Sequence, residues 1–290
     1  MIPVLDIDGL TASGLHGAPS DGLSAPDFER RFGGLARLYG AAGAARVWAS
    51  HVAVVGIGGV GSWAAEALAR SGVARLTLID LDHVSESNIN RQIHALDTTL
   101  GQAKVLAMRD RIRHINPRCD VVCIEAFVDA GNWPQLLGFA ANSPGKSVDA
   151  VSAPDAIIDA CDQVKAKVAM AVWARQTHAL FISVGAAGGK RHAHLVDIGD
   201  LSAATHDPLL AQLRTRLRKE HSAPREGKSM GVPCVFSREA VMAPSVAGAE
   251  ATDSTLNCHG YGSTVSVTAT FGQCAAGWVL DKISSILPRA

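Results

Sequence analysis

The sequence predicts an α/β fold with a mostly parallel central sheet flanked by helices, and three observations predict it. A short apolar run, Val52 to Val55, leads directly into a glycine-rich turn and then into the helix-like segment SWAAEALARSG. Further short apolar runs alternate with segments of helical periodicity as far as about residue 195. The 290-residue chain is 48% apolar and 19% charged, which is sufficient for one large domain or two small ones. This combination is typical of Rossmann-like nucleotide-binding folds.

The turn after the first strand is the strongest local indication of a ligand. It contains four glycines, Gly56, Gly58, Gly59 and Gly61. Glycines at such a turn let a phosphate approach the backbone N–H groups at the start of the following helix. The next predicted strand ends in Asp80 and Asp82, where a carboxylate can accept hydrogen bonds from ribose hydroxyls. Because NAD and ATP both contain that ribose, these residues leave the nucleotide open, and a tight turn without a ligand is the alternative.

The segment after Asp82 indicates a triphosphate. Its polar residues lie in the loop that is predicted to leave the carboxyl end of a strand, and they are Asn88, Asn90, Arg91 and Gln92. The planar guanidinium of Arg91 is suited to binding phosphate oxygens and to stabilising the charge that develops on a leaving pyrophosphate. Lys104 lies at the start of a helix predicted over residues 102–115, within reach of a phosphate. For Lys104 alone, a solvated helix position is the alternative.

Two more carboxylates follow a later strand. A third strand is predicted over residues 120–127 and a Pro-interrupted helix over 132–142. The fourth strand, AIIDACD, places Asp159 and Asp162 at its carboxyl end, where we expect a helix cap, a nucleotide or a metal. A helix over 164–177 and a fifth strand over 179–185 complete the alternating part. The next loop, which ends at Lys190, is one residue short of a P-loop and lacks its Ser or Thr, so we reject that assignment.

The two ends of the chain are predicted to differ from the alternating core. Residues 1–26 are predicted to be a disordered leader, because much of this segment is rich in Gly, Ser, Ala and Pro. The domain is predicted to cover 27–290, beginning with a helix capped by Asp27 and including a C-terminal extension with additional strands from about residue 195. Residues 264–280 are predicted to form a buried strand and helix, since polar residues interrupt the run too often for a transmembrane span. Peripheral membrane contact is the alternative.

Charge and cysteine content limit the function classes. The formal net charge of zero argues against extensive coating by nucleic acid, although it permits a local basic patch. The candidate patch comprises Arg214, Arg216, Arg218, Lys219, Arg225 and Lys228, which form either a solvated helix face or a footprint for RNA phosphates. None of the six cysteines forms a C-x-x-C pair, which excludes a zinc ribbon of that spacing and favours a reducing, cytoplasmic location.

The motifs GIGGVGS, LIDLD, SNINRQ, QAKV and DACD together resemble the E1-like, ThiF/MoeB-type adenylating superfamily. That resemblance implies ATP and Mg²⁺ as cofactors and attack of a carboxylate on the α-phosphate of ATP. It also implies the roles of the site residues. Gly56, Gly58, Gly59 and Gly61 would line the nucleotide, Asp80 would bind the ribose, Arg91 and Lys104 would hold the phosphates, Asp162 would coordinate magnesium or help to position the adenylate, and Asn88 and Gln92 would shape the loop.

A closer resemblance covers roughly residues 27–285. RFGGLARLYG, NRQIHAL, GAAGGK, DPLLAQLRTRLRKE and GVPCVFSREA are similar to the tRNA threonylcarbamoyladenosine dehydratase subfamily. This resemblance implies adenylation of the threonyl carboxylate at position 37 of ANN-decoding tRNA, followed by ring closure through the carbamoyl nitrogen. It further implies a homodimer and contacts with a cysteine desulfurase system. Cys234 is a candidate thiol for sulfur transfer or, alternatively, a small core residue.

Two other functions remain open from the sequence. The first is adenylation of a sulfur-carrier or ubiquitin-like protein, and the second is an NAD-binding redox protein or a non-catalytic nucleotide sensor. Some E1-like dimers insert an N-terminal arginine into the partner's ATP site. Around Arg31 this chain has Phe-Gly-Gly where such an arginine is expected, so Arg31 and Arg37 are both retained as candidates.

Overall fold

The computed structural model describes residues 27–138, 153–225, 227–242 and 261–286. The predicted leader, the second half of the helix predicted over 132–142 and the last four residues lie outside these ranges. The fold is therefore described from the first predicted helix to the last one.

The described residues form a seven-stranded sheet at the centre of the molecule. Its strands are β1 His51–Val55, β2 Arg75–Ile79, β3 Asp120–Ile124, β4 Ala156–Asp159, β5 Leu180–Val184, β6 Val196–Asp200 and β7 Pro233–Ser237. The order across the sheet is β3-β2-β1-β4-β5-β7-β6. All neighbours run parallel except β6, which is antiparallel to β7. The prediction of a mostly parallel sheet is confirmed.

The strand order reverses at β1, and this reversal locates the expected ligand site. β1 pairs with β2 on one side, with Val52 opposite Leu76, and with β4 on the other, with Val52 opposite Ala156. The chain therefore leaves β1 towards β2 on one side of the sheet and leaves β4 towards β5 on the other, which opens a crevice at the carboxyl ends of β1 and β4. Open parallel sheets bind their ligands in the crevice at such a point.

Helices cover both faces of the sheet. The described α-helices are α1 Phe28–Phe32, α2 Gly34–Ala49, α3 Gly61–Arg70, α4 Lys104–Ile115, α5 Val164–Thr177, α6 Pro208–Glu220 and α7 Val265–Ser285. α2, α3, α4 and α7 pack on one face, against buried strand residues such as Val52 and Val54. α5 and α6 pack on the other face, against residues such as Ala53 and Val55. The alternation of side chains along β1 thus supplies two separate cores.

The N-terminal helices follow the sequence prediction. The carboxylate of Asp27 accepts a hydrogen bond from the amide of Arg30 over 3.2 Å and caps the start of α1. Gly33 is both the C-cap of α1 and the N-cap of α2. An N-terminal Asp is among the preferred capping residues because its oxygen satisfies an otherwise unpaired helical amide.

The prediction for residues 264–280 was wrong in one respect. These residues contain no strand and belong almost entirely to α7, a single 21-residue helix. The alternating β-branched residues at its start have high strand propensity, but Val267, Phe271, Ala275, Val279 and Ile283 recur at helical spacing and are all buried. Packing of this stripe against α3 and α2 outweighs the local propensity.

Two further differences concern the loops and the sheet edge. Within the described part of the predicted 132–142 helix, only the 3₁₀ turn Gln135–Leu137 forms, and it ends at Gly138 with a left-handed φ of 73°. The edge strand β6 was not located from the sequence, since its five residues VDIGD include two aspartates and a glycine, which are disfavoured in strands. No helix in the described part of the chain combines the length and apolar character needed to cross a membrane.

Candidate active site

The glycine loop connects β1 to α3 and is shaped by close backbone contacts. Gly56 has φ of +86°, and a β-carbon there would lie 2.8 Å from the carbonyl carbon of Ala160. A β-carbon at Gly61 would lie 1.8 Å from the oxygen of Gly56. Only glycine fits either position. At Gly58, by contrast, the nearest atom to a β-carbon would be Nε2 of Gln92 at 4.0 Å, so this part of the loop borders open space.

The start of α3 is available to an anion. Within the described residues no side chain caps this helix, whose N-cap residue is Val60. The first amides of a helix are donors without an intrahelical acceptor, and the helix dipole adds positive potential at this end. An uncapped N-terminus beside an open glycine loop is suited to binding a phosphate.

Asp80 ties the end of β2 to the glycine loop. Its Oδ2 accepts a hydrogen bond from the amide of Ile57 over 2.6 Å, and its Oδ1 accepts one from the amide of Asp82 over 2.8 Å. Burial raises the pKa of Asp80, although the positive charge of Lys104 and these two amides act in the opposite direction. Each carboxylate oxygen has a second lone pair, so Asp80 still has acceptor capacity for a ribose hydroxyl.

Lys104 is not a solvated surface lysine. It is the first residue of α4, it is 7% exposed, and its Nζ lies 2.8 Å from Oδ2 of Asp82. The amide of Lys104 also donates to the backbone oxygen of Asp82 over 3.0 Å. Asp82 therefore fixes both the start of α4 and the lysine ammonium, while its own side chain remains 56% exposed.

The loop between β2 and α4 carries the four predicted polar residues next to the glycine loop. Oδ1 of Asn88 accepts a hydrogen bond from the amide of Ser85 over 3.1 Å and closes a 3₁₀ turn. The guanidinium of Arg91 donates to Oδ1 of Asn90 over 2.9 Å, and the Cγ of Arg91 would be 3.4 Å from a β-carbon at Gly59. The aliphatic part of Arg91 thus packs on the glycine loop, while its guanidinium also donates to the backbone oxygen of Ser87 over 2.6 Å.

Asn90 and Gln92 complete this loop. Nδ2 of Asn90 donates to the backbone oxygen of Ser263 over 3.1 Å, which connects the loop to the residues preceding α7. Gln92 is 5% exposed, and its Oε1 has no hydrogen-bond partner among the described residues. A buried amide oxygen without a partner next to Gly58 is available to a ligand or to water.

The two carboxylates after β4 have different environments. Asp159 is fully buried, and its Oδ2 lies 3.1 Å from the ammonium of Lys167, so it is already paired within the protein. Asp162 is exposed, and it makes no hydrogen bond or ion pair within the described residues. Among those residues no group of three or more His, Cys, Asp or Glu is arranged to hold a metal ion. A magnesium ion bound mainly by substrate phosphates requires only one or two protein carboxylates, and Asp162 fits that requirement.

Two buried ionisable residues near the site were not identified from the sequence. Lys167 lies in the buried stripe of α5 with Met170 and Ala171. The helical periodicity of the sequence places this lysine at an apolar position, and that pattern could have identified it as a buried charge. His94 is 1% exposed, and its ring nitrogens have no hydrogen-bond partner in the described structure. Burial lowers its pKa to about 4, assisted by the charges of Lys104 and Arg111. His94 is therefore neutral at pH 7.

The basic segment lies away from the glycine loop. α6 begins beside the carboxyl end of β5, where Asp207 accepts from the amide of Ala186, and it runs towards the amino end of β7. Arg214 donates to the backbone oxygens of Leu201 and Ala204, and Arg218 donates to that of Pro224. These two arginine side chains are therefore already hydrogen-bonded within the protein. The other four cations of the run, Arg216, Lys219, Arg225 and Lys228, are exposed or partly exposed towards the edge of the sheet opposite the site.

Cys234 and Lys190 are internal residues. Cys234 is 0% exposed, burial raises the pKa of its thiol well above the usual value, and the thiol donates to the backbone oxygen of Val232. This environment supports the core interpretation of Cys234, since a reactive cysteine needs access and thiolate character. Lys190 is 2% exposed and donates to the backbone oxygens of His206 and Glu239, in agreement with the rejection of a P-loop.

The N-terminal arginines also lie outside this site. Arg31 donates to the backbone oxygen of Ile115 over 2.7 Å at the end of α4, and Arg37 is exposed on α2. A cavity of ≈ 420 Å³ lies between α5, the start of β7 and α7, and none of the predicted site residues lines it.

The fold and this site define a nucleotide-binding α/β protein whose glycine loop, carboxylates and basic side chains converge at the carboxyl ends of β1, β2 and β4. Residues 31–288 match the ThiF family. Because this match covers most of the chain, the protein belongs to the ThiF family. The superfamily resemblance identified from the sequence motifs is thereby confirmed.

Within this family, the chain is similar over most of its length to several individual proteins. The chain is 38% identical over 259 residues to the tRNA threonylcarbamoyladenosine dehydratase of Haemophilus influenzae, which covers 89% of this chain and 94% of that protein. It is 41% identical over 271 residues to the protein of the same name from Escherichia coli, with 90% and 96% covered. The crystal structure of the E. coli protein in complex with ATP has 39% identity and a TM-score of 0.76, and the match covers 88% of this chain and 94% of that one.

Proposed function

We propose that this protein catalyses the ATP-dependent cyclising dehydration of N6-threonylcarbamoyladenosine at position 37 of tRNA. The observation that carries the proposal is near full-length similarity to tRNA threonylcarbamoyladenosine dehydratases, one of them solved with ATP. The site agrees with it, because an open glycine loop at an uncapped helix N-terminus lies beside Arg91 and the Lys104–Asp82 pair.

In the first step the threonyl carboxylate of the modified adenosine attacks the α-phosphate of ATP. A carboxylate oxygen bonds to phosphorus, and pyrophosphate leaves. Gly56 to Gly61 and the N-terminus of α3 line the phosphates, and Asp80 accepts from the ribose. Arg91 and Lys104 hold the phosphate oxygens and stabilise the charge that develops on pyrophosphate. Asp82 keeps the ammonium of Lys104 in place from 2.8 Å.

In the second step the carbamoyl nitrogen attacks the activated acyl carbon. A five-membered ring closes, the nitrogen loses its proton, and AMP leaves with the former carboxylate oxygen, so the nucleoside loses the elements of water. Both reacting groups belong to one nucleoside, and effective molarities for such oriented groups can reach about 10⁵ M. A protein nucleophile is therefore unnecessary, which is consistent with the burial of Cys234.

Magnesium would be held by Asp162 together with phosphate oxygens of ATP. Bound there, the ion supplies charge neutralisation between the phosphates. Asn88, Asn90 and Gln92 keep their own loop, between β2 and α4, against the nucleotide. These assignments are supported by the position of each side chain around the glycine loop and by the match of their motifs to the family.

The partners follow from the substrate. ANN-decoding tRNA is the expected macromolecular partner, and the exposed cations at the end of α6 are the candidate contacts for its phosphates. We further propose a homodimer, a cytoplasmic location and contact with a cysteine desulfurase system, as the subfamily resemblance implies.

Mass spectrometry of the modified nucleoside tests the function. The purified protein is incubated with threonylcarbamoyladenosine-containing tRNA, ATP and Mg²⁺, and the nucleosides are then analysed together with AMP. We expect the nucleoside to lose the mass of one water molecule as one AMP forms. An unchanged nucleoside, combined with adenylation of a peptide that ends in Gly-Gly, would instead assign the protein to activation of a sulfur-carrier or ubiquitin-like protein.

A further inference from the structure

A buried polar cluster lies beneath the loop of residues 160–163, and the proposed adenylation chemistry uses none of its members. Lys167 of α5 and Asp159 at the end of β4 both have side chains that are 0% exposed. Nζ of Lys167 lies 3.1 Å from Oδ2 of Asp159, and the hydroxyl of Ser183 donates to the same oxygen over 2.7 Å. We call Asp159, Lys167 and Ser183 the anchor cluster.

The anchor cluster connects three elements of the fold. The ammonium of Lys167 also donates to the backbone oxygen of Val184 over 2.7 Å, so α5 is tied to the ends of both β4 and β5. Burial alone would lower the pKa of Lys167, but Asp159 and Cys161 outweigh burial and raise it. Buried ion pairs give little net stability compared with apolar side chains of similar size, so stability is a weak explanation for this pair.

The cluster extends directly to the nucleotide site. Oδ1 of Asp159 accepts hydrogen bonds from the thiol of Cys161 over 3.0 Å and from its amide over 3.3 Å. The amide of Ala160 donates to the backbone oxygen of Val55 over 2.8 Å. A β-carbon at Gly56 would lie 2.8 Å from the nitrogen of Cys161, so the 160–163 loop packs against the glycine loop. Asp162 is the next residue of that loop.

We propose that the Lys167–Asp159 ion pair is a positioning element of the nucleotide site. It holds the 160–163 loop at a fixed distance from the glycine loop, so that the Asp162 carboxylate meets the phosphates of ATP without reorganisation. Pre-organisation of this kind matters because a displaced ligand-binding group loses most of its electrostatic effect. The inference rests on the proposed function only in taking this edge of the sheet as the ATP site.

The decisive variant removes both charges together. Asp159→Leu combined with Lys167→Met leaves no unpaired buried charge and keeps side chains of similar volume, so we expect it to fold. Glu66→Leu combined with Arg111→Met is the matched control. It removes a buried carboxylate, its ion pair with Arg111 between α3 and α4 at 2.7 Å, and its ion pair with the exposed Arg70, without touching the 160–163 loop.

Three quantities are measured for wild type and both variants: the melting temperature, the hydrogen exchange of the bonded amides of Ala160 and Cys161, and the Kd of ATP with and without Mg²⁺. In the Asp159/Lys167 variant we expect exchange in the loop to be about tenfold faster or more. We expect the Kd of Mg²⁺-ATP to rise by about tenfold or more. The control variant should have a melting temperature similar to that of the Asp159/Lys167 variant. Its amide exchange in the loop and its Kd for Mg²⁺-ATP should equal those of the wild type.

Wild-type exchange and ATP affinity in the folded Asp159/Lys167 variant would overturn the inference. Faster exchange with unchanged ATP affinity would also reject the inference, because the ion pair would then stabilise the loop without affecting ATP binding. If this variant does not fold, Ser183→Ala keeps both charges and removes one bond to Asp159. Exchange of the Cys161 amide should then rise about threefold, and unchanged exchange would overturn the inference. A wild-type protein that binds ATP but leaves the tRNA unchanged would refute the proposed function alone.

Discussion

Lys104 shows how one residue can combine burial with a charge directed at a ligand. Its ammonium is 2.8 Å from the Asp82 carboxylate, and that carboxylate is more than half exposed. We expect Lys104→Ala to lower turnover by roughly 100-fold or more, because a donor to the developing phosphate charge is lost. The free energy of unfolding of Lys104→Ala should differ from that of the wild type by about 1 kcal/mol or less, because water can solvate the Asp82 carboxylate after the lysine is removed.

Steady-state rates and urea unfolding of Lys104→Ala test this expectation. Arg91→Ala should behave in the same way, since the half-buried Arg91 side chain lies beside Gly59 of the glycine loop. Lys282→Ala, on the last turn of α7, is the control for loss of a lysine. A wild-type rate in folded Lys104→Ala or Arg91→Ala would refute the proposed phosphate contacts.

Two glycines of the same loop should respond in opposite ways to alanine. At Gly61 the new β-carbon would lie 1.8 Å from the oxygen of Gly56, so the loop cannot form and we expect poor folding. At Gly58 nothing lies closer than 4.0 Å, so Gly58→Ala should fold normally. The methyl group would nevertheless occupy phosphate space, and the Kd of ATP should rise by about tenfold or more. Calorimetric titration of Gly58→Ala with ATP decides this, and unchanged affinity would place the phosphates elsewhere.

At the scale of secondary-structure elements, the end of β6 is fastened to the start of β7 by one carboxylate. Asp200 accepts hydrogen bonds from the amides of Ser202 at 2.9 Å, Met230 at 2.8 Å and Val232 at 3.2 Å. Partial burial acts to raise the pKa of Asp200, but the amides of Met230 and Ser202 and the hydroxyls of Ser202 and Ser229 outweigh it and lower the pKa to about 2. The ionised carboxylate is therefore stabilised in the folded state.

The pH dependence of stability follows from that shift. A depressed pKa in the folded state contributes stability above pH 3.8 that is lost as the pH falls towards about 2. Asp200→Asn should therefore destabilise the protein by ~1 kcal/mol at pH 7, a value reduced for solvent screening at this partly exposed site. Urea unfolding at pH 7 and pH 3 measures the effect. The difference from wild type should shrink at pH 3, and a difference that grows would contradict the assignment.

The packing of α6 separates the cations of the basic segment into hydrogen-bonded and exposed side chains. Arg214 and Arg218 bind backbone oxygens, whereas Lys219 and Lys228 are exposed. We expect Lys219→Glu with Lys228→Glu to raise the KM for tRNA by about tenfold or more and to reduce the salt dependence of tRNA binding. The KM for ATP should stay within about twofold, because these residues lie at the other edge of the sheet.

Arg113→Glu with Arg118→Glu is the matched control for the tRNA prediction. It changes the net charge by the same amount, and both residues lie near β3, at the far end of the sheet from β7. An unchanged salt dependence in the Lys219/Lys228 variant, or an equal effect in the control, would remove this patch as the tRNA contact.

At the scale of the whole molecule, α7 completes one of the two cores. Phe271 is 0% exposed and packs with residues of α3 and β-strand side chains in the same cluster. Phe271→Ala should lower the free energy of unfolding by about 3–5 kcal/mol, because it removes an aromatic ring and leaves a cavity. Val265→Ala, at a position 41% exposed, should cost less than about 0.5 kcal/mol. Guanidinium unfolding compares the two, and similar small losses would indicate that α7 does not contribute to the core.

The fold class, the glycine loop and the polar residues around it could all be predicted from the amino-acid sequence. These features are local: apolar runs specify buried parallel strands, and glycines specify a close backbone approach. The motif spacing places Asp80, Arg91 and Lys104 in the single connection from β2 to α4. Because parallel strands end at the same edge of a sheet, the order of motifs was sufficient to bring them together.

Which charged side chains are free and which are already paired depends on contacts made in the folded protein. Asp159 and Asp162 are equivalent in the sequence motif, yet Lys167, eight residues after Asp159, neutralises the first and leaves the second exposed. Arg214 differs from Lys219 for the same reason, since backbone oxygens of another loop reach only the arginine. The α7 helix likewise overrides the strand propensity of its first residues through contacts with α3. Pairing and burial depend on partners distant in the chain, and local pattern does not specify them.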